Sequence, residues 1–320
     1  MLRQNRELTL LILTHYLPVA FDEMKKDIPS FFKQVELVAD SRGLPFVVKY
    51  VKDSRVSVMR YLSGNPLKVG DLAVLNKNGW PIWLSAFEQY TTRPEHLRVL
   101  MTLLMSLRSI KLSPVLDTST IVTPSKSENL SDSEITTALR LLGVGPITAE
   151  WDHFHLTVKK GPVGQAILMS MTEATLLSTK LVGFINLLGG NKLASRLSDL
   201  KDSFDILPDT SAALWSKVYP AASSCLRRLS YFSDKEGKTR VIAILDYWTQ
   251  SALYPLHNAL NKVLRRIHCD CTFDQGKFKL LLEDKPIYFS IDLSAATDRM
   301  PITFQKKVLS YLIGEAKANA

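Results

Sequence analysis

Three cysteines in 320 residues, Cys225, Cys269 and Cys271, cannot build a disulfide framework, so a reducing compartment is the easier setting. No apolar run approaches the roughly 18–20 residues of a membrane span. The longest, "LTLLIL" near the start and "KLVGFINLLGG" over 180–190, read as packed helix. Internal repeats, collagen-like, mucin-like and Gln/Asn-rich tracts are all missing. The first residues, "MLRQNRELTLLILTHYLP", have no small-residue cleavage site and are interrupted by Glu7, which makes a weak targeting peptide. No G-x-x-x-x-G-K-[ST] phosphate loop occurs. "HCDC", His268 to Cys271, offers soft ligands but lacks the second ligand pair that structural zinc usually needs. His153 and His155 in "DHFHL" read as polar positions of a strand or loop. No local context argues for a Ser-His-Asp or Cys-His arrangement.

What is present is a globular composition, 46% apolar and 22% charged, long enough for one large domain or two smaller ones. Forty Lys and Arg against 31 Asp and Glu leave a formal charge of +9. That excess favours a polyanionic partner such as nucleic acid, the plainer alternative being a basic, soluble surface.

The pattern predicts a mostly α fold with some β (α+β). Residues 1–112 form a helical region: "ELTLLILTHYL" is apolar throughout, "SFFKQVELVADS" is amphipathic, and "RPEHLRVLMTLLMSLRSI" is a strong helix with Pro94 at its first position. "GLPFVVKYVK" fits an extended stretch or a short helix. Turn signals at "SGNP" (63–66) and "NKNGWP" (76–81) frame a hairpin or loop. Residues 113–135 are rich in Ser, Thr and Pro and read as a linker or long surface loop. Across 136–285 helices resume at "DSEITTALRLLG", around "TEATLLSTKLVGFINLL" and near Pro255 in "PLHNALNKVLRRI". The clearest strand comes in 286–320. In "PIYFSID", Ile287, Phe289 and Ile291 alternate with Tyr288, Ser290 and Asp292, and Pro301 then opens a final helix, "PITFQKKVLSYLIGEAKA".

Two stretches carry chemistry. In "YFSIDLSAATDRMP" two aspartates flank small side chains, so a triphosphate and its metal can approach the backbone. Nucleotidyl transfer uses two divalent ions held by carboxylates, and Asp292 at a strand end suits one ligand, the other reading being a plain strand-end aspartate. Asp298 is placed to accept from a ribose 2′-hydroxyl, and suits equally the N-cap of the last helix. In "SDKEGKTRVIAILDYWTQ", Lys235, Lys238 and Arg240 surround Gly237 ahead of the run "VIAIL", which reads as a buried strand. Such a loop at 234–240 suits a triphosphate, lysine giving compact charge and arginine a bidentate fork. Asp234 and Glu236 alternate with the lysines, so a solvated charged turn is the other reading.

The order of these stretches, and the wording of "DKEGKTRVIAILDYWTQ", "FSIDLSAATDR" and "KKGPVGQA" (159–166), resembles the RNA-dependent RNA polymerase of mitoviruses. "RYLSGNPL" and "LRVLMTLLMSLRSI" extend the resemblance, which runs from about residue 50 to the end. It implies a right-hand polymerase: fingers over 136–285, the start of a palm over 286–320, an RNA template, nucleoside triphosphates, Mg²⁺ or Mn²⁺, and a mitochondrial setting. Asp292 would match the catalytic, metal-binding aspartate of motif A, and Asp298 the ribose-sensing one. Lys235, Lys238 and Arg240 would match the basic motif F. Lys160, Gly161, Pro162 and Gly164 would lie in a fingers segment without an assigned role. The family's Gly-Asp-Asp hairpin is missing, since the only Gly-Asp, Gly70-Asp71, precedes a leucine. The palm is therefore expected to be incomplete and the chain inactive alone. It reads as a truncated relic, as one half of a split polymerase completed by a second chain, or as a non-catalytic RNA-binding protein.

Overall fold

The computed structural model describes residues 1–124, 130–206 (the backbone alone from 204), 225–282, 289–293 and 295–320. It is mostly helical with one two-stranded antiparallel sheet, the α+β class expected. The chain divides into two compact units, Met1–Asp117 with Tyr231–Val241, and Thr118–Ser230 with Ile242–Ala320.

In the first unit the helices are α1 (Leu2–Tyr16), α2 (Pro18–Met24), α3 (Ile28–Arg42), α4 (Leu44–Leu62) and α5 (Pro94–Ser106). Proline sits in the first turn of α2 through α5, where its missing N–H leaves no hydrogen bond unmade. Gly43, at φ 84°, ends α3 and opens α4, so the stretch left open between strand and helix is helical. Its valines at 47, 48, 51 and 58 fall on the buried face, and packing there overrides their β preference. They join Leu13, Phe31, Trp80, Phe87 and Leu103 in one core.

The "NKNGWP" turn is a tight loop closed by an antiparallel bridge between Leu75 and Pro81. The Asn76 side-chain oxygen accepts from the backbone of Asn78 and Trp80. Gly79, at φ 84°, lies where a Cβ would come within 2.6 Å of Pro66. The turn directs Trp80 into the core, where its indole N–H donates to the Leu84 carbonyl at 2.9 Å.

The second unit holds α6 (Ser119–Val122), α7 (Asp132–Leu141), α8 (Ala166–Leu176), α9 (Thr179–Ile206) and α10 (Tyr247–Arg266). It also holds the short α11 (Phe278–Leu281) and α12 (Ala296–Arg299), then α13 (Ile302–Ile313) and α14 (Glu315–Asn319). Within 113–135 a single turn of helix forms at α6, residues 125–129 lie outside the described residues, and Ser131 with Glu134 makes a reciprocal cap on α7. Gly190, at φ 78° and ψ 178°, breaks α9 into two helical runs. The core gathers Trp151, Ala174, Ile185, Leu193, Leu197 and Trp248.

Two helix boundaries differ from the sequence reading. The helix expected to begin near Pro255 starts at Tyr247, with Pro255 inside it. Asp246 caps it by accepting from the Thr249 N–H at 2.7 Å, and buried Tyr247, Trp248 and Ala252 anchor the first turns well enough to carry the proline. The final helix breaks at Gly314, φ 85°, between α13 and α14.

The strands lie elsewhere than expected. β1 (Arg228–Ser233), unforeseen from the sequence, pairs with β2 (Thr239–Ile244) as a hairpin. The expected buried run "VIAIL" is only part-covered, with Ile242 43% exposed, because two strands alone shield neither face. The strand expected at 286–292 is not found at 289–292, and its first residues, 286–288, lie outside the described residues. Phe289 and Ile291 are 89% and 86% exposed rather than facing a core. A strand needs a neighbour for its backbone donors and acceptors, and no described strand lies alongside. No helix among the described residues is long and apolar enough to cross a membrane.

Candidate nucleotide-binding site

The basic loop is the tip of the β1–β2 hairpin and belongs to the first unit. Two successive left-handed residues, Glu236 at φ 59° and Gly237 at φ 70°, reverse the chain. A Cβ on Gly237 would stand 2.7 Å from Leu112 Cδ1, so both the backbone conformation and the space require glycine. Asp234 braces the turn: its N–H donates to the Lys238 carbonyl at 2.7 Å, and its carboxylate accepts from Arg240 at 2.5 Å. The Lys235 backbone N–H, and next Arg240, hold the Asp234 carboxyl below its ordinary pKa.

Glu236 faces the other way, into the first unit. Its carboxylate accepts from Arg55 on α4 at 2.5 Å, with Arg108 at 3.2 Å and Lys52 at 3.9 Å. The side chains of Glu236 and Arg55 are each only 12% exposed. Burial alone would raise the Glu236 pKa, but Arg55, Arg108 and Lys52 together bring it below the ordinary value. A glutamate anchored in this way turns Lys235, Lys238 and Arg240 outward, and all three are exposed. The hairpin thus brings the three cations of the sequence reading together on one tip. The anchor itself was not legible, because Arg55 lies 181 positions from Glu236.

The two aspartates lie in the second unit. Asp292 is exposed in irregular chain. Asp298 is in α12, rather than capping the last helix, and its carboxylate accepts from the Thr120 hydroxyl at 2.7 Å. Ala295, preceding α12, is left-handed at φ 51°. Among the described residues no group of three His, Cys, Asp or Glu is arranged to hold a metal. That includes the "HCDC" stretch, where Cys269 is exposed and the Cys271 thiol points to the Cys269 carbonyl at 3.8 Å. Asp292 alone would offer one carboxylate, and Mg²⁺ or Mn²⁺ would need further oxygen donors beside it.

The "KKGPVGQA" segment acquires a structural setting. Lys160 bridges to Gln165, and Gly161 bonds to the Gly164 carbonyl, closing a tight turn before α8. Beneath it lies Glu173, fully buried, accepting from the Tyr247 N–H at 2.7 Å with its Oε1 left without a hydrogen bond. A Cβ on Gly161 would stand 3.2 Å from that oxygen. Burial above all, with the Asp246 charge adding, pushes the Glu173 pKa up to about 7 against the opposing Tyr247 N–H. Asp246, also fully buried, has Arg227 at 3.7 Å. Glu173 stands in an unremarkable apolar stretch, "SMTEATLL", and nothing in the sequence marks it.

A cavity of about 320 Å³ in the same unit is lined, among the described residues, by apolar side chains such as Leu181, Phe184, Leu256, Leu309 and Ile313, with the charged side chains of Arg227 and Lys317. It lacks converging polar groups and does not make a better candidate.

The structure thus offers a glycine-reversed cationic tip and, apart from it, exposed carboxylates on a helical framework. The model of the mitovirus RNA-dependent RNA polymerase family matches residues 147–320, and the chain belongs to that family. It is 28% identical over 270 residues to the RNA-directed RNA polymerase of Cryphonectria parasitica mitovirus 1 (strain American chestnut tree/New Jersey/NB631). That alignment covers 81% of this chain, while the chain spans about a third of the relative, 32%. No solved structure matches the chain significantly.

Proposed function

We propose that these residues form the triphosphate-handling part of a mitovirus-type RNA-directed RNA polymerase. Family membership over 147–320 carries the reading, and the outward cations of the hairpin tip support it. Lys235 and Lys238 bind the phosphates of an incoming nucleoside triphosphate. Arg240 keeps guanidinium donors for phosphate while it holds Asp234. Asp292 would contribute one carboxylate to Mg²⁺ or Mn²⁺ once further donors join it, the ion then neutralising charge at the reacting phosphate, and Asp298 would read the ribose 2′-hydroxyl. RNA is the template and the setting mitochondrial, both by family. The 320 residues contain no Gly-Asp-Asp, so by themselves they bind RNA and triphosphate without polymerising. Synthesis requires a polypeptide carrying that motif, in continuity or as a second chain. A relic that has lost both binding functions is the competing reading.

The test measures triphosphate binding with Mg²⁺ and, separately, RNA synthesis with and without an added Gly-Asp-Asp polypeptide. Lys235→Ala with Lys238→Ala should weaken triphosphate binding by about tenfold or more, charge-assisted bonds being worth about 1.5–3 kcal/mol. Synthesis by the 320 residues alone would refute the inactivity, and absence of both triphosphate and RNA binding would leave the relic.

A further inference from the structure

Helix α10 leaves its core with a row of flat side chains along one side. The His155 ring stacks on Tyr254 with centroids 4.9 Å apart and planes at 25°. Tyr254 in turn stacks with His257 at 23°, their centroids 6.5 Å apart. His257 hydrogen-bonds Asn261 at 3.0 Å. One turn further, the Arg265 guanidinium lies 3.8 Å over the centroid of the Phe273 ring. At 100° per residue, positions 254, 257, 261 and 265 fall within an arc of about 80°. Leu256, Leu260 and Val263 fall about 100° or more from the middle of that arc, while Leu264 lies at its edge beside His257.

The chemistry of this row selects its occupant. His155, His257, Arg265 and Phe273 are exposed, and the row itself is made of rings, an amide and a guanidinium, with only the part-covered Leu264 at its edge to offer a protein partner an apolar contact. Lys262 lies beside it, about 60° round the helix from Arg265, and among the described residues neither of these two cations carries an ion pair. The carboxylates near it are engaged: Asp152 with His153 at 2.5 Å, and, on either side of Phe273, Asp270 with Thr272 at 3.0 Å and Asp274 with the Gly276 N–H at 2.9 Å. The outer ring faces left by the His155–Tyr254–His257 stack and by Phe273, with unpaired Lys262 and Arg265 beside them, fit unstacked bases on a phosphate backbone, whereas a duplex hides its base faces. From Tyr254 to Arg265 the helix rises about 16 Å, room for about five stacked nucleotides or fewer extended ones.

We infer that His155, Tyr254, His257, Asn261, Arg265 and Phe273 form a single-strand RNA-binding stripe along α10, in which the rings stack on bases and the cations follow the backbone. The inference rests on the RNA reading above and deepens it by naming a surface outside the hairpin tip and the aspartates.

The experiment uses the full chain and a labelled single-stranded oligoadenylate, read by fluorescence anisotropy over a salt series, with duplex RNA of the same length alongside. His257→Ala and Phe273→Ala alter exposed side chains, and Tyr254→Ala removes the centre of the stack. Each should weaken single-strand binding about five- to hundredfold with the salt slope unchanged. Tyr254→Phe should keep the affinity, separating ring stacking from loss of fold. Lys262→Ala with Arg265→Ala should instead lower the salt slope by about 1.4. Unchanged affinity in all three ring variants, or equal losses for duplex RNA, overturns the stripe while leaving the RNA reading intact. No RNA binding by the unaltered chain overturns both.

Discussion

The hairpin tip and the aspartate segment carry the same kind of expectation from sequence, and the structure treats them differently. The tip is held from within the chain: Glu236 is engaged by Arg55 and Arg108, Asp234 braces the turn, and the lysines point outward. Among the described residues the aspartate segment shows no comparable support. Phe289, Ile291 and Asp292 lie exposed in irregular chain, and only Asp298 is tied, by Thr120. A cationic loop works when its backbone is fixed and its side chains are free, which one short hairpin and a buried anchor can supply. A carboxylate meant to hold a metal has to share its position with other ligands, and a lone exposed segment does not fix it.

The contrast can be broken most directly at the anchor. Glu236→Ala leaves Arg55 buried without its partner and should cost about 3–5 kcal/mol, read as a lowered denaturant midpoint. Replacing both, Glu236→Leu with Arg55→Met, should recover part of the loss, Arg108 still lacking its carboxylate. If the single variant is as stable as the unaltered chain, the tip is no better anchored than the aspartate segment.

A pH series sharpens the comparison for the second unit. Glu173 is protonated in the fold up to about pH 7, above its ordinary value of 4.5. The folded state therefore binds a proton that the unfolded chain has already lost. The stabilisation is complete below the unfolded value and declines by up to about 3 kcal/mol as pH rises to about 7. Glu173→Gln keeps an acceptor for the Tyr247 N–H and should flatten that decline, making the variant the more stable chain at about pH 8. Denaturant midpoints at about pH 5 and about pH 8 check it; an equal decline in both proteins would assign the effect elsewhere.

Smaller effects are expected in the aspartate segment. Thr120→Val removes the bond to Asp298 and should cost about 0.5–1.5 kcal/mol at most, less where water replaces it. Phe289→Ser with Ile291→Ser should change stability by no more than about 0.5 kcal/mol per site, since neither side chain is buried. A large loss in the latter variant would mean that the segment packs on something after all, and would close the gap between the two regions.

The sequence by itself determined the helical class, most of the helices and the chemistry of the tip. Apolar spacing, proline at helix starts and glycine at chain reversals act over a few residues, and "DKEGKTR" carries its cations wherever it is placed. The family was legible for the same reason, through short stretches whose residue types are unusual together. Tertiary structure alone decided that residues 44–62 are helix, that α10 begins eight residues before Pro255, and that β1 exists. Each depends on burial or pairing with chain distant in sequence. The Glu236–Arg55 anchor, the burial of Glu173 and the His155–Tyr254 stack have the same origin, since their partners meet only on folding. The alternation of "PIYFSID" records which faces a strand would have, and a strand forms only where another supplies its hydrogen bonds.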